Sequence, residues 1–378
     1  MLYSLIDWLN QLYSPPGFGA FDYITTRTAF AAATALIISL IIGNNIINWL
    51  QRMQLKETIR DDIGLDSHLS KANTPTMGGV IIILATVIPA LLWMNMSSIY
   101  TWMIIFVTLV LGVVGFIDDY IKVVKKDKSG LHGWFKVGGQ VFVGLVLGSF
   151  LYFWPDFQEF NTLSTVPFLK DVNIDYAFLG EELGWLIYIP LVVFVITAVS
   201  NSANLTDGLD GLLSGTSAIA GVILGIFAYV SGRVDFSGFL NIMYLPGSGE
   251  LTIFAASLVG GCLGFLWYNS HPATVFMGDT GSLAIGGAIG ALALMIHKEL
   301  LLPIICGVFV VETLSVIIQT TYFKYTKRKY GEGKRVYLMT PIHHHFEKKG
   351  WPESKIVVRF WIIAILLGII SLLTLKLR

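Results

Sequence analysis

About ten apolar stretches, each close to 20 residues long, most constrain how this 378-residue chain can fold. A run of about 20 apolar residues crosses the roughly 30 Å hydrocarbon core of a bilayer as a helix. A mean hydropathy of +0.70 agrees with this interpretation. We therefore predict an all-α integral membrane protein with about ten transmembrane helices, at 22–44, 77–95, 98–117, 134–153, 184–200, 212–230, 251–268, 282–297, 299–323 and 356–375.

The basic residues are distributed unequally between the two sides of these predicted helices. Residues 45–76, 118–136 and 324–359 carry 4, 5 and 10 of the 25 Lys and Arg residues, although the net charge is zero. All three ranges include loops that follow odd-numbered helices. Because loops rich in Lys and Arg stay in the cytoplasm, we expect the odd loops inside and both termini outside.

The chain is predicted to be one polytopic membrane domain spanning residues 1–378, with three distinctive segments. Leucine and isoleucine at helical spacing predict an interfacial helix within residues 1–20. The longest external loop, 154–183, contains β-forming residues that predict a small hairpin. The largest cytoplasmic loop, 324–355, is basic at first and then rich in histidine. Cys262 and Cys306 fall inside predicted helices, where they are small packing residues.

Two adjacent aspartates, Asp118 and Asp119, end the third predicted helix. An ionised carboxylate in a bilayer costs about 2.5–3.5 kcal/mol, so such residues usually face a polar cavity or water. Adjacent helical residues point about 100° apart, which indicates two different roles rather than twin ligands of one ion. A solvated helix end that faces Lys122 and Lys125 is the simpler interpretation, and for this pair alone it is the favoured one.

The segment NSANLTDGLDG, residues 201–211, follows the fifth predicted helix. A helical turn would place its two aspartates on one face. Oxygen-rich clusters without thiols suit Mg²⁺, which binds through one or two carboxylates and substrate phosphates. A turn that caps the sixth helix would account for one or two of the polar residues. It would not account for all five, which are Asn201, Asn204, Thr206, Asp207 and Asp210.

The segment FMGDTGS, residues 276–282, begins the eighth predicted helix, where free N–H groups attract anions. Asp279 could be a simple N-cap, or it could hold a metal that in turn holds phosphate. Asn269 and His271, just upstream, could add hydrogen bonds to a ligand. Before the second helix, Lys71 could meet a phosphate or could only set the topology.

Three consecutive histidines, His343, His344 and His345, lie in the segment PIHHHFE at 341–347. No regular conformation points all three at one atom, because helices fan them and strands alternate them. Histidine suits phosphate contact, proton transfer or hydrogen bonding to uracil and ribose. Taken alone, a solvated loop is an equally good interpretation.

Polar residues inside the predicted helices are few. Glu312 is the one clear acid within a span, and it shares a face with Ser315 and Gln319, for which we predict a hydrogen-bond network between helices. A secondary transporter would place substrate groups near the bilayer midplane and often shows inverted repeats. Here the polar groups cluster at one face, so a transporter is far less favoured than an enzyme. A non-catalytic scaffold would not need so many carboxylates.

Together the motifs describe a Mg²⁺-dependent phosphate site at the cytoplasmic surface of the membrane, because all of them lie in loops predicted to be inside. Apolar grooves between the helices would offer room for a lipid. Two anionic phosphates must approach each other in such a site, and Mg²⁺ with lysine or histidine can offset their repulsion.

Five segments, in this order along the chain, resemble the phospho-N-acetylmuramoyl-pentapeptide-transferase family of the polyprenyl-phosphate N-acetylhexosamine-1-phosphate transferase superfamily. The resemblance extends from about residue 20 to the C-terminus, and neither residues 1–20 nor the loop at 154–183 carries a motif. The segments are PTMGG at 75–79, DDY at 118–120, NLTDGLDGL at 204–212, FMGDTGSLA at 276–284 and TPIHHHFE at 340–347.

The resemblance implies an activity. Members of the family transfer phospho-N-acetylmuramoyl-pentapeptide from UDP-N-acetylmuramoyl-pentapeptide to undecaprenyl phosphate, which releases UMP and forms lipid I of peptidoglycan synthesis. It also implies Mg²⁺ as cofactor, the bacterial plasma (inner) membrane as location, and a homodimer. No nucleic-acid partner is expected. The nearest alternative is a superfamily transferase that uses UDP-N-acetylglucosamine, but PIHHHFE favours the muramoyl-pentapeptide donor.

The resemblance further implies roles for individual residues. Asp118, Asp119, Asp279 and His343 would be catalytic, with Asp279 as the Mg²⁺ ligand and Asp118 deprotonating or positioning the lipid phosphate. Direct attack of that phosphate on the donor and a two-step route through a phospho-sugar-aspartate both stay open. The residues that would contact the substrates are Lys71, Asn201, Asn204, Asp207, Asn269, His344 and His345.

Overall fold

The computed structural model describes residues 1–53, 74–125, 130–157, 160, 162–169, 172–178 and 180–376. Lys71, a predicted substrate contact, lies outside the described residues. Within them the chain is almost entirely helical, and its helices are α1 (Leu2–Tyr13), α2 (Ile24–Arg52), α3 (Gly79–Trp93), α4 (Ile99–Val123), α5 (Gly133–Phe153), α6 (Trp185–Thr206), α7 (Leu212–Ser231), α8 (Val234–Leu240), α9 (Gly249–Asn269), α10 (Gly278–Met295), α11 (Leu302–Ile305), α12 (Gly307–Tyr330), α13 (Ile342–Lys348) and α14 (Glu353–Leu373).

Nine of the ten predicted membrane segments each coincide with one of these helices, and the remaining segment, 299–323, is divided between α11 and α12. Eight helices are long and apolar enough to cross a membrane, and the described residues allow up to nine spans if a bent pair counts as one. That pair comprises Glu299–Ile305 and α12, which meet at an angle of 82°. Helix α3 has 15 residues, or about 22 Å at 1.5 Å per residue, which is short for a full span. The chain is therefore an all-helical, multi-pass membrane protein.

Helix α10 is the central helix of the bundle. Every residue from Thr280 to Met295 is buried, although the sequence is rich in glycine and alanine rather than in large side chains. Small residues let neighbouring backbones approach closely, which favours helix packing in lipid. Helices α4 and α6 pack against α10, while α9 packs against α2 and α7. The polar N-terminus of α10 is thereby held at a fixed place among several helices.

The small sheet and the end of the C-terminal helix lie at the opposite end of the bundle from the N-terminus of α10. Strands β1 (Leu163–Thr165) and β2 (Asn173–Asp175) form an antiparallel pair within the loop where a hairpin was predicted. His297, just beyond the C-terminus of α10, directs its Nδ1 atom at the carbonyl oxygen of Leu163, 2.7 Å away. Lys298, Thr374 and Leu375 line one pocket with the end of β1, so the C-terminal helix also ends here.

The predicted loop at 324–355 has more helix than the sequence suggested. Helix α12 continues to Tyr330, beyond its predicted end at 323, and its last turn carries Lys327, Arg328 and Lys329. Cations there interact favourably with the helix dipole, and Gly331 then ends the helix in the left-handed conformation. The short helix α13 follows and packs, through Ile342 and Phe346, on a small apolar cluster separate from the main core.

Candidate active site

The two motifs PTMGG and FMGDTGS lie side by side. The backbone N–H of Phe276 donates to the carbonyl of Pro75 at 2.8 Å, and the N–H groups of Gly78 and Gly79 donate to the carbonyls of Phe276 and Met277 at 2.8 and 2.9 Å. These three bonds satisfy backbone groups that regular helices would leave open. They also bring the start of α3 to the start of α10.

Asp119 of α4 caps the N-terminus of α10 from outside that helix. Its Oδ1 atom accepts the N–H of Asp279 at 3.1 Å. Its Oδ2 atom accepts both the N–H and the hydroxyl of Thr280, at 2.9 and 2.6 Å. Gly278 has φ +73° there, and a Cβ at this position would lie 2.6 Å from Asp119 Oδ2. Both carboxylate oxygens of Asp119 are therefore engaged by the α10 start, which only glycine at 278 allows.

Asp118 faces a different set of partners. Its Oδ1 atom accepts the backbone N–H of Leu131 at 2.7 Å. Its Oδ2 atom lies 2.5 Å from Lys122 Nζ and 2.9 Å from Lys136 Nζ. The Asp118 side chain is fully buried, so the solvated helix end favoured for this pair alone is wrong. The two adjacent aspartates have separate environments, as their helical positions predicted.

Asp279 lies at the centre of the cluster. Its Oδ1 atom accepts a hydrogen bond from Asn204 Nδ2 at 2.8 Å, and the same amide donates to Ser282 Oγ at 2.9 Å. Its Oδ2 atom lies 3.1 Å from Lys122 Nζ and 2.5 Å from Lys136 Nζ. Each lysine therefore bridges Asp118 and Asp279. Two ammonium groups held between two carboxylates form a compact charged cluster that can exchange partners with an anionic substrate.

Lys136 and Gln140 are polar contacts that the sequence reasoning missed. Lys136 lies near the start of α5, 18 positions from Asp118, and a lysine at the end of an apolar helix is ordinarily interpreted as setting topology. Gln140, one helical turn later, accepts the amide of Asn201 at 3.0 Å. Since both residues share the α5 face that meets the cluster, only the packing of α5 could have revealed them.

The carboxylates fit a divalent cation. Oxygens of Asp118, Asp119 and Asp279 lie within 4.8 Å of one another. Asp119 already accepts three hydrogen bonds from the start of α10, whereas the partners of Asp118 Oδ2 and Asp279 Oδ2 are flexible lysine side chains. Asp118 and Asp279 are therefore the oxygen donors best placed to hold a hard cation such as Mg²⁺.

The turn between α6 and α7 separates its two aspartates. Residues 207–211 are not helical, so the shared helix face considered for Asp207 and Asp210 is absent. Asp210 Oδ2 instead lies 3.1 Å from His271 Nδ1 and accepts the N–H of Ala273. Glu353 Oε1 accepts the Asp210 N–H at 2.7 Å, while its Oε2 lies 3.3 Å from His271 Nδ1. These contacts fix the turn to the start of α14.

Asn269, a predicted substrate contact, joins two backbone segments. Its Oδ1 atom accepts the N–H of Gly211 at 3.0 Å, and its Nδ2 atom donates to the carbonyl of Val275 at 3.0 Å. Only 3% of Asn269 is exposed. Its amide thus supports the start of α7 and the segment before α10.

The three histidines of α13 point to three different partners. His343 is fully buried, and its Nδ1 atom lies 3.0 Å from Glu312 Oε2. His344 Nδ1 lies 2.6 Å from Glu347 Oε2. His345 Nδ1 accepts the N–H of Leu338 at 3.1 Å. Burial lowers the pKa of His345, which favours the neutral form that this acceptor role requires. The helix fans the rings, as predicted.

These features define a polytopic membrane protein whose buried carboxylates and lysines converge at one end of its helices, an arrangement suited to anionic substrates and a cation. Comparisons with known proteins give the family. The model of Glycosyl transferase family 4 matches residues 101–297, and Phospho-N-acetylmuramoyl-pentapeptide-transferase signature 1 matches residues 71–83.

Curated relatives match over the whole chain. A phospho-N-acetylmuramoyl-pentapeptide-transferase from Salinibacter ruber is 54% identical, and those from Chloroherpeton thalassium and Flavobacterium psychrophilum are 53% and 52% identical. Each alignment covers 100% of both chains. The chain belongs to the phospho-N-acetylmuramoyl-pentapeptide-transferase family and is a transferase.

Proposed function

We propose that this chain transfers phospho-N-acetylmuramoyl-pentapeptide from its UDP donor to undecaprenyl phosphate, giving lipid I and UMP, the first membrane step of peptidoglycan synthesis. Family membership supports the reaction. The observation that carries it in the structure is the pair of lysines, Lys122 and Lys136, each held between Asp118 and Asp279. An acceptor phosphate and a donor pyrophosphate are both anions, so their approach needs such a concentration of cationic donors.

The lysines account for charge compensation during the transfer. An oxygen of the lipid phosphate forms a bond to the β-phosphorus of the donor, and the bond from that phosphorus to the oxygen of UMP breaks with its electron pair leaving on UMP. Lys122 and Lys136 can turn from the carboxylates to phosphate oxygens, since lysine is a compact charge on a flexible stem. Asp118 then fixes the orientation of the acceptor phosphate if it holds the cation, and accepts the acceptor's proton if it does not.

Asp118 and Asp279 would hold Mg²⁺, because Asp119 is already committed to the start of α10. When bound, the ion would neutralise charge on the phosphates of the donor. Asn204 fixes the rotamer of Asp279 through a 2.8 Å hydrogen bond. Asn204 is therefore a positioning residue for Asp279, in addition to the donor contact that the resemblance implies.

The proposed site faces the cytoplasm of a bacterium, in its plasma membrane, with both termini outside. The placement of 19 of the 25 basic residues in odd loops supports this orientation. A soluble donor made inside the cell and an acceptor lipid anchored in the bilayer would meet at that face. The homodimer that the resemblance implies stays a prediction.

Release of UMP by purified protein tests the proposal. The protein, undecaprenyl phosphate and Mg²⁺ are offered UDP-N-acetylmuramoyl-pentapeptide or UDP-N-acetylglucosamine in separate reactions. We expect UMP from the first donor only, and its loss in Asp279→Asn and with a chelator. UMP from the second donor only would overturn the assigned substrate. Trapping a phospho-sugar on the protein with the donor alone would overturn direct attack.

Lysine variants test the charge cluster itself. Lys136→Ala should lower kcat/KM roughly hundredfold, the loss expected when one preorganised charge partner is removed. Lys125→Ala is the matched control, because Lys125 is an exposed lysine that lies just after α4, between that helix and α5. Equal activity of the Lys136 variant and the control would show that the cluster takes no part in transfer.

A further inference from the structure

The chain folds back along one face of α12 after that helix ends, and we call residues 334–343 the returning segment. Glu312, Gln319 and Thr326 are spaced seven residues apart, so they lie nearly above one another along the helix. We call these three residues the α12 ladder. Thr326 Oγ1 accepts the N–H of Lys334 at 2.8 Å, and Gln319 Oε1 accepts the N–H groups of Val336 and Tyr337 at 2.9 and 3.0 Å.

Glu312 is the residue of the α12 ladder that lies nearest the N-terminus of the helix. Its Oε2 atom lies 3.0 Å from His343 Nδ1 and 3.4 Å from the backbone nitrogen of His343. Both side chains are fully buried. Glu312 therefore does link two helices, as predicted, because His343 lies in α13, whereas the described partners of Gln319 lie in the segment between α12 and α13. Ser315 donates only to the Glu312 carbonyl of its own helix, at 2.7 Å, among the contacts of the described residues.

The other side of the His343 ring meets the turn between α6 and α7. A Cβ placed on Gly208 would lie 2.1 Å from His343 Nε2, so the ring packs directly on the backbone of that turn. Gly208 directly follows Asp207, which the resemblance implies to be a donor contact. His343 thus lies between the α12 ladder and the turn that carries Asp207.

We infer that Glu312 is a positioning residue that acts through His343: it fixes the ring, and the ring in turn sets the position of the Asp207 turn. A fully buried ring flanked by a carboxylate and a backbone is packed as a spacer, which differs from the catalytic role that the resemblance implies for His343. The activity test of this inference rests on the proposed function, because it measures turnover of the donor. The hydrogen-exchange test does not.

A double-mutant cycle tests the inference through activity. Glu312→Gln and His343→Gln should each lower kcat/KM for the donor roughly hundredfold, the effect expected from a displacement of about 1 Å in a site. The double variant should be no worse than either single variant, because both changes break the same contact. KM for undecaprenyl phosphate should stay unchanged. Losses that multiply in the double variant would overturn the inference.

Hydrogen exchange tests it independently of activity. In Glu312→Gln, amides at 342–348 and at 204–211 should exchange faster than in the unaltered protein, while the rest of α6 stays unchanged. Unaltered exchange in both segments would overturn the inference even if turnover fell. Ser315→Ala is the matched control, because it removes a buried hydroxyl from the same helix face without touching the returning segment.

A second Glu312 variant and the activity of the unaltered protein distinguish a folding failure from a failure of either proposal. Should Glu312→Gln not purify as folded protein, Glu312→Asp shortens the side chain by one methylene group and keeps its charge, and it should show the same faster exchange. Unaltered protein that releases no UMP would overturn the proposed function, whereas the exchange result would still decide the role of Glu312.

Discussion

At the scale of single residues, the adjacent carboxylates of Asp118 and Asp119 have different structural roles. Asp118 faces two lysines and the N–H of Leu131, whereas Asp119 accepts three hydrogen bonds from the start of α10. An anion at a helix N-terminus is stabilised by the open N–H groups and by the helix dipole. Asp119 therefore fixes the backbone from which Asp279 projects.

Replacing Asp119 by asparagine should lower stability as well as activity. One of the two oxygens that accept from α10 becomes an amide that can only donate, so we expect a loss of about 0.5–2 kcal/mol, the usual value of a helix cap. Thermal unfolding in detergent, measured beside UMP release, checks this. Asp279→Asn is the comparison: it should abolish activity but leave the Asp119 bonds to the start of α10 in place, so any change in its unfolding temperature reports the lost ion pairs with Lys122 and Lys136 rather than the cap.

An inactive Asp119→Asn protein that unfolds at the temperature of the unaltered protein would contradict the capping role and favour a direct part in the chemistry. The sequence showed that adjacent aspartates must point apart, but not where each one points. Two of the three donors to Asp119 are backbone N–H groups, which no side-chain pattern marks. The partner of Asp118, Lys136, follows only from how α5 packs on α4.

At the scale of elements, the small β1–β2 hairpin is fixed to the end of α10 by two neighbouring residues. Thr165 Oγ1 donates to the carbonyl of His297 at 3.0 Å and accepts from Lys298 Nζ at 2.9 Å. His297 Nδ1 lies 2.7 Å from the carbonyl of Leu163, so the neutral ring must carry its proton on Nδ1. The hairpin thus covers the C-terminal end of the central helix.

The docking of this hairpin should weaken in acid. Burial lowers the pKa of His297 to about 4, below its ordinary value near 6.5. A group whose folded pKa is lowered contributes stability above its unfolded pKa, and this contribution is lost as the pH falls from about 6.5 towards 4. The difference corresponds to at most about 3 kcal/mol. Unfolding midpoints in detergent should therefore fall across this range.

His297→Gln supplies the control for the acid effect. Its amide can still donate to the Leu163 carbonyl but does not titrate, so its unfolding midpoint should depend less on pH between 6.5 and 4 than that of the unaltered protein. Parallel curves for the two proteins would assign the acid sensitivity to other groups. The sequence predicted the long helices, the N-terminal helix and the hairpin, but not the short helices α8, α11 and α13. It also missed the extension of α12 to Tyr330, which depends on the basic last turn and on Gly331.

At the scale of the whole molecule, the lengths of the apolar stretches predict which residues form helices, but not whether each helix crosses the membrane without a break. The ten predicted segments all coincide with helices, yet α3 is short and the ninth segment bends by 82°. Such irregular helices are tolerated where neighbouring protein covers them, which depends on packing that a hydropathy pattern does not contain. The convergence of PTMGG, DDY and NLTDGLDGL on the start of α10 likewise depends on packing.

The orientation of the bundle rests on its charges, and it yields the last prediction. The hairpin and the C-terminal end of α14 lie at one end, and the carboxylate cluster lies at the other. Both native cysteines are buried, so single cysteines introduced at exposed positions can be labelled against a low background. Asn173→Cys in β2 marks the predicted outer side, and Glu332→Cys after α12 marks the predicted cytoplasmic side.

A membrane-impermeant maleimide added to intact spheroplasts should label the cysteine at 173, because that residue is expected outside with the hairpin. The cysteine at 332 should react only after the membrane is permeabilised, since the basic segment around it is held inside by the rule that governs Lys and Arg. The reverse pattern would place the carboxylate cluster on the outer face. A donor made in the cytoplasm could not then reach Asp279, so one experiment tests the orientation and the access on which the proposed reaction depends.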